Sequence, residues 1–280
     1  MTDRPTLVLG ATGGQGGAVA AALLDRGRRV RALVRRPDTP AARRLADRGV
    51  DVVAGSIDDT AALRAAMRDV DGVFALTTPF EMGVDAEVAQ GRAILAAAVG
   101  AHVPHLVFSS VASADQHTGV PHFASKAIVE TELASTGLPY TIVGPTYFFD
   151  NALGDEERIR AGILDLPLPP DRFLQQLARA DLGAFVANVF DDPNTHLGHR
   201  IELASDAVTP RRMADMLGEV LGRSVRYDQT PLESIRNPDM LAMWKFLNGP
   251  GYRVDVEGLR DRYPAIAWTS FADWAQQTFG

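Results

Sequence analysis

The sequence predicts an α/β fold, a doubly wound parallel sheet with a smaller C-terminal α/β lobe. Three observations predict it. Short apolar runs alternate with helical segments through the first half of the chain, a glycine-rich turn joins the first run to the first helix, and the alternation loosens after Phe149. Strict alternation requires each crossover to return the chain to the same end of the sheet, so the strands are parallel and the helices cover both faces.

Each element has its own local reason. Thr6–Leu9 is an apolar run ending in glycine, which suits a strand buried on both faces. An Ala- and Leu-rich helix runs from Gln15 to Asp25 and is stopped by Gly27. Val30–Val34 is the second strand, and the next helix starts near Pro40, where a missing N–H costs nothing in a first turn. Val50–Ala54 is the third strand, with Asp58 or Asp59 as cap of a helix reaching Met67. A strand over Gly72–Leu76, a helix over Asp85–Gly100, a strand over His105–Ser109, a helix over Phe123–Ser135 and a strand over Tyr140–Val143 follow. Beyond these, Ala180–Phe190 and Pro210–Leu221 read as helices, and Arg200–Leu203 and Val225–Tyr227 as strands. Residues 1–150 are therefore expected to form the main sheet domain, and residues 151–280 a smaller lobe interleaved with the sheet edge.

Composition excludes several classes. The chain has 280 residues, with 28 Lys and Arg against 35 Asp and Glu, a net charge of -7 that argues against direct nucleic-acid binding. It has no cysteine, which removes disulfides, thiolate nucleophiles and cysteine-bound metals. The histidines show no metal-ligand spacing, so no metal site is expected. No apolar run is long enough to span a bilayer, and the opening segment Met1–Pro5 is polar with no signal-peptide pattern; a cytoplasmic location is expected.

The turn Gly10-Ala11-Thr12-Gly13-Gly14-Gln15-Gly16 has the spacing Gly-x-x-Gly-x-x-Gly between a strand and a helix. Glycine there lets the main chain approach a pyrophosphate, and the helix N-terminus supplies unpaired N–H groups and the positive dipole end. In this position, opening the first strand–helix unit, the motif predicts a Rossmann-type dinucleotide site. The second strand ends Leu33-Val34-Arg35-Arg36. It lacks the acid that binds ribose hydroxyls in NAD-specific sites, and its guanidiniums suit a 2′-phosphate, so the expected cofactor is NADP(H).

At this point the chain resembles the NmrA-like family, a branch of the atypical short-chain dehydrogenases/reductases, and within it the NADPH-sensing subgroup. The likeness is carried by Gly10–Gly17, Val34-Arg35-Arg36-Pro37, His122-Phe123-Ala124-Ser125-Lys126, Gly137–Thr141, Tyr147–Asn151 and Met240–Trp244. The resemblance implies that Thr12, Gly13, Gln15 and Gly16 lie along the pyrophosphate and Arg35 on the 2′-phosphate. It implies further that Thr77, Thr78 and Pro79 pass near the riboses, that Lys126 reaches the nicotinamide ribose, and that Tyr147, Phe148 and Asn151 border the nicotinamide. Relatives often carry a Gly-Asp pair after the third strand; this chain has Gly55-Ser56.

Active short-chain reductases place a tyrosine proton donor four residues before the lysine. Here that position is His122, which can donate a proton near neutral pH or serve merely as a cap or surface residue. Lys126 has two readings as well, ribose binding alone or acid–base chemistry. Ser109 and Ser110 end the fifth strand near the superfamily's serine, and Met240, Met243, Trp244, Phe246 and Tyr252 read either as a lid or as the lobe's core. Two functions remain open: an NADPH-dependent reductase of a small carbonyl, quinone or enone, or a non-catalytic NADP(H) sensor acting through a regulatory protein partner. A second copy of the chain is a further candidate partner.

Overall fold

A computed structural model describes residues 3–80 and 82–280; Met1 and Thr2 of the polar opening segment lie outside the described residues. The first half runs β1 (Thr6–Leu9), α1 (Gly14–Asp25), β2 (Val30–Val34), α2 (Pro40–Asp47), β3 (Asp51–Ala54), α3 (Thr60–Ala66), β4 (Gly72–Leu76), α4 (Val84–Ala101), β5 (Leu106–Ser109), α5 (Pro121–Ala134) and β6 (Tyr140–Pro145). The second half runs β7 (Tyr147–Phe148), α6 (Glu156–Arg160), β8 (Ile163–Leu166), β9 (Leu174–Leu177), α7 (Arg179–Asp191), β10 (Arg200–Leu203), β11 (Asp206–Val208), α8 (Pro210–Leu221), β12 (Arg226–Gln229), α9 (Pro238–Asn248), α10 (Val256–Arg262) and α11 (Phe271–Phe279).

Among the described residues, seven strands form one parallel sheet in the order β10-β6-β5-β4-β1-β2-β3, a Rossmann-like α/β architecture. The order reverses at β1, whose Val8 pairs with Ala32 of β2 on one side and Phe74 of β4 on the other. That reversal opens a crevice beyond the carboxyl ends of the strands, where such sheets receive ligands.

The helices form where the sequence presents one apolar stripe. In α1 the buried residues Gly16, Val19, Ala20 and Leu23 recur at helical spacing. Its end follows the expected pattern, with Arg26 as cap and Gly27 in the left-handed region at φ +71°. Asp59 caps α3 by accepting from the N–H groups of Ala61 and Ala62. On one face of the sheet α1 and α7 pack over Val8, Phe74 and Val107; on the other α3, α4 and α5 pack over Leu7, Val73 and Phe108.

The chain beyond residue 150 divides its elements. Its α7 covers the sheet, with Leu259 of α10 and Ile266 packed in the same cluster, and its β10 extends the sheet through Ile201 paired with Val143, while most of the remainder builds the lobe. The lobe has a sheet of β11-β9-β7, a parallel pair β12-β8, and a core of Phe149, Leu164, Met213, Leu217, Phe271 and Trp274. Phe149 meets Phe271 and Trp274 at ring separations of 5.5 and 5.6 Å. From the sheet side, Phe123 at the start of α5 plugs into this core against Phe246, 5.6 Å away.

Candidate active site at the sheet's switch point

Between the sheet and the lobe lies one cleft of about 1000 Å³. Its first wall is the glycine turn. Gly10 holds φ +68°, a conformation that a side chain would strain. A Cβ on Gly16 would stand 2.4 Å from the Gly10 carbonyl oxygen, so α1 starts directly against the turn. The helix opens on Gly13 with no side-chain cap and no acid in its first turn, which leaves its leading N–H groups for a ligand. Thr12, Gly13, Gln15 and Gly16 all line the cleft, and so does Arg35 at the end of β2. Arg36 is exposed and stands outside the lining, so the sequence's pair of guanidiniums reduces to one at the cleft. Ser56, Ile57 and Asp58 border the same end, with the Ser56 hydroxyl donating to Asp58 at 3.1 Å.

The deeper part of the cleft is organised by α5. This helix begins at Pro121, two residues before its expected start, so His122 and Lys126 are one turn apart on it. The Lys126 ammonium donates to the Thr77 carbonyl at 3.0 Å and pairs with Glu87 at 2.9 Å. Glu87 is fully buried and also accepts from the Thr77 hydroxyl at 2.9 Å and from the Ser125 hydroxyl. A buried carboxylate is tolerated here because a cation and two hydroxyls satisfy it. His122 is buried rather than a surface cap residue, and it lines the cleft. Its Nδ1 lies 2.7 Å from Asp239 Oδ1 at the start of α9, and its backbone N–H points to the same oxygen at 3.3 Å. Because a carboxylate only accepts, Nδ1 carries a proton whether the ring is neutral or charged, and Nε2 is the nitrogen left for a ligand or for a second, transferable proton. Ser109 is diverted, its hydroxyl donating to Gln15 Oε1 at 2.7 Å; the Ser110 hydroxyl is buried at the cleft without a protein partner.

The lobe closes the far wall with Tyr147, Phe148, Asn151, Met240, Met243, Trp244 and Tyr252. Trp244 leans on Tyr147 at a ring separation of 5.5 Å and packs into the lobe's core as well, while Phe246 on the same helix lies in that core without lining the cleft. Burial pushes the Tyr147 phenol up to about 12, against the opposing hydrogen bond from Asn151. Burial also raises Tyr252. Both phenols therefore stay protonated through the physiological range. Thr77, Thr78, Pro79 and the exposed Phe80 and Met82 form the remaining rim.

The NmrA-like family model matches residues 2–257. The chain belongs to the NmrA-like family. A (4-alkanoyl-5-oxo-2,5-dihydrofuran-3-yl)methyl phosphate reductase of Streptomyces griseus subsp. griseus is 32% identical over 233 residues, 82% of this chain and 78% of the relative. An NAD(P)H azoreductase of Xenophilus azovorans is 30% identical over 231 residues, again 82% of this chain and 78% of the relative. An NADPH-dependent quinone oxidoreductase of Escherichia coli, solved with NADPH, superposes with a TM-score of 0.82 at 25% identity, covering 98% of this chain and 100% of its own.

In this NmrA-like chain the motif residues read from the sequence, Arg36 excepted, gather on one cleft: Gly10, Thr12, Gly13, Gln15, Gly16, Arg35, Thr77, Thr78, Pro79, His122, Lys126, Tyr147, Phe148 and Asn151. Sequence reasoning missed Glu87, Asp239 and Arg179. Glu87 did carry a signal, an acid in phase with Val88, Gly91, Ile94 and Leu95 on the apolar stripe of α4. Asp239 reads only as a helix-start acid, since its histidine partner is 117 positions away. Among the described residues no group of histidines and acids could hold a metal ion, and no helix is long and apolar enough to cross a membrane.

Proposed function

We propose that this NmrA-like protein is an NADPH-dependent oxidoreductase that reduces a small, flat carbonyl, quinone or enone compound. The observation that carries the proposal is the continuity of one cleft, from the uncapped glycine turn to an apolar chamber holding both Lys126 and His122. The names of the reductase relatives support it. The cofactor preference rests on Arg35 at the cleft and on the absence of an acid at the end of β2. In this reading residues 1–150 supply most of the cofactor site, and residues 151–280 shape the substrate side.

When bound, the reduced nicotinamide supplies the hydride. The chain's own residues do the rest. His122 passes its Nε2 proton to the substrate oxygen on which negative charge develops, while Asp239 fixes the ring and offsets the imidazolium charge before transfer. Lys126 is held by Glu87 and Thr77, which suits it to orienting ribose hydroxyls with its remaining N–H. The methionines and aromatics of the lobe exclude water and accept flat substrates of varied shape.

The test follows NADPH consumption against quinones and enals. His122→Asn should lower kcat by about 100-fold with the NADPH Kd nearly unchanged, whereas Lys126→Ala should weaken NADPH binding as well. Arg35→Ala should weaken NADPH by about 10-fold or more and leave NADH alone. Equal effects on both cofactors would remove the 2′-phosphate assignment. The departure from tyrosine at His122 favours a second reading, the NADP(H) sensor of the subgroup the sequence resembles. Tight NADPH binding with no turnover on any acceptor would leave that reading standing and end the first.

A further inference from the structure

The helix α7 belongs to the second half of the chain, yet it lies beside α1 in parallel. At one end a Cβ on Gly14 would stand 2.6 Å from the guanidinium carbon of Arg179, the first residue of α7. One turn on, a Cβ on Gly183 would stand 2.4 Å from the Ala18 carbonyl oxygen. At the other end Arg26 and Arg28 both pair with Asp191, at 2.5 and 3.1 Å. The two helices thus present their amino ends side by side at the glycine turn, and Arg179 stands over the first residue of α1.

This is an unfavourable place for a cation. A guanidinium at a helix amino end meets the positive end of the dipole, and here two such ends adjoin. What the protein offers in return is small. Asp150 Oδ1 lies 3.6 Å from Nη1, longer than the 2.7–2.9 Å of a charge-assisted hydrogen bond, and the Phe148 ring centroid is 5.9 Å away. Asp181, the acid in the first turn of α7, is turned elsewhere: it accepts from the Ser205 hydroxyl and from the backbone N–H of Thr269. The Arg179 side chain is about one third exposed, and it lines the cleft.

We infer that Arg179 is a diphosphate-binding residue, and that its guanidinium exchanges Asp150 for the bridging phosphates of a dinucleotide on the glycine turn. A planar guanidinium meets two phosphate oxygens at once, and the added anion offsets both helix ends together with the arginine charge. The inference rests on the proposed cofactor reading. It goes beyond that reading in giving the second half of the chain a direct hold on the cofactor. A side chain at Gly14 would meet that guanidinium.

The test is a titration of the full chain with NADPH, NADH and adenosine 2′-monophosphate, which has no diphosphate. Arg179→Ala should weaken NADPH and NADH alike by about 10- to 100-fold and leave adenosine 2′-monophosphate within about 3-fold. Arg179→Lys should fall between, and Asp150→Asn should keep or tighten NADPH binding because it removes the resting partner. Arg35→Ala gives the opposite pattern, losing NADPH and adenosine 2′-monophosphate while sparing NADH. An effect of Arg179→Ala below about 3-fold on both dinucleotides, in a variant that melts like the parent, overturns the inference and leaves the cofactor reading intact. Equal weakening by Arg179→Ala and Asp150→Asn also overturns it, since that marks a structural ion pair. Failure of the unaltered protein to bind either dinucleotide overturns the cofactor reading itself, and the inference with it.

Discussion

Replacing Glu87 with glutamine removes a charge from the interior while keeping the side chain's shape. In the folded protein Glu87 has no exposed surface, and it faces the Lys126 ammonium at 2.9 Å, the Thr77 hydroxyl at 2.9 Å and the Ser125 hydroxyl. The two hydroxyls can turn to suit an amide. The ammonium cannot, because the Lys126 side chain is only 11% exposed and its other acceptors are the Thr77 carbonyl and hydroxyl. Glu87→Gln therefore leaves a buried cation without its counter-charge, a class of change that costs about 3–5 kcal/mol. The lower figure applies, since the carbonyl bond survives, and about 3 kcal/mol corresponds to a Tm lowered by roughly 6 °C in a chain of this size. Adding Lys126→Met removes the orphaned charge, so the double variant should recover about half of the loss. Urea unfolding followed by the fluorescence of the three tryptophans gives the four corners of the cycle. A loss below about 1 kcal/mol for Glu87→Gln, or strict additivity in the double variant, would refute the account of Glu87 as the partner that makes a buried Lys126 tolerable.

Three further outcomes follow from the same packing. Burial pushes the His105 imidazole down to about 4, with His196 nearby acting in the same direction. Its folded pKa lies below the unfolded value, so the stability it contributes is complete above about pH 6.5 and is lost as pH falls toward 4, by about 3 kcal/mol. Urea midpoints across that window should show this slope, and His105→Leu should flatten it; an unchanged slope sinks the assignment. Because the Tyr147 phenol sits near 12, Tyr147→Phe should leave the shape of the pH–rate profile between pH 6 and 10 unchanged, and a limb that vanishes with the phenol would contradict this. Gly183→Ala puts a methyl on the Ala18 carbonyl, a backbone atom that cannot swing aside, and should cost about 1–3 kcal/mol in urea unfolding.

The inner strands of the sheet were legible because they are short apolar runs buried on both faces and bounded by glycine, proline or a capping acid. Thr6–Leu9 and Leu106–Ser109 are wholly buried, and such runs announce themselves without knowledge of their neighbours. The lobe was less legible because its pairings are distant and its strands mixed. Arg226–Gln229 is largely exposed and takes its register from Ile163–Leu166, some sixty positions earlier, across a proline-rich loop that hides any period. The aromatic stretch of α9 carried both of its readings at once: Met243 and Trp244 line the cleft and belong to the lobe's core, and Phe246 belongs to the core alone. In the site, motif residues were readable because backbone geometry fixes them. Asp239 and Arg179 were not, because each acquires its role only from an element more than a hundred positions away.

The placement of α5 and α7 bears on how the two halves depend on each other. One turn of α5 ties Lys126 to Glu87 and Thr77 on the sheet side, and His122 to Asp239 on the lobe side, while Phe123 between them enters the lobe's core. A shift of the lobe would therefore move the histidine's partner but not the lysine's. In return, α7 gives the sheet Phe185, Val186 and Val189, fully buried in the same cluster as Val8, Val19 and Phe74. A fragment ending at residue 150 would keep the glycine turn and Arg35 but expose that apolar face and lose the seventh strand, β10. Elements from before and after residue 150 thus share one core cluster under the sheet, and the cleft is lined from both.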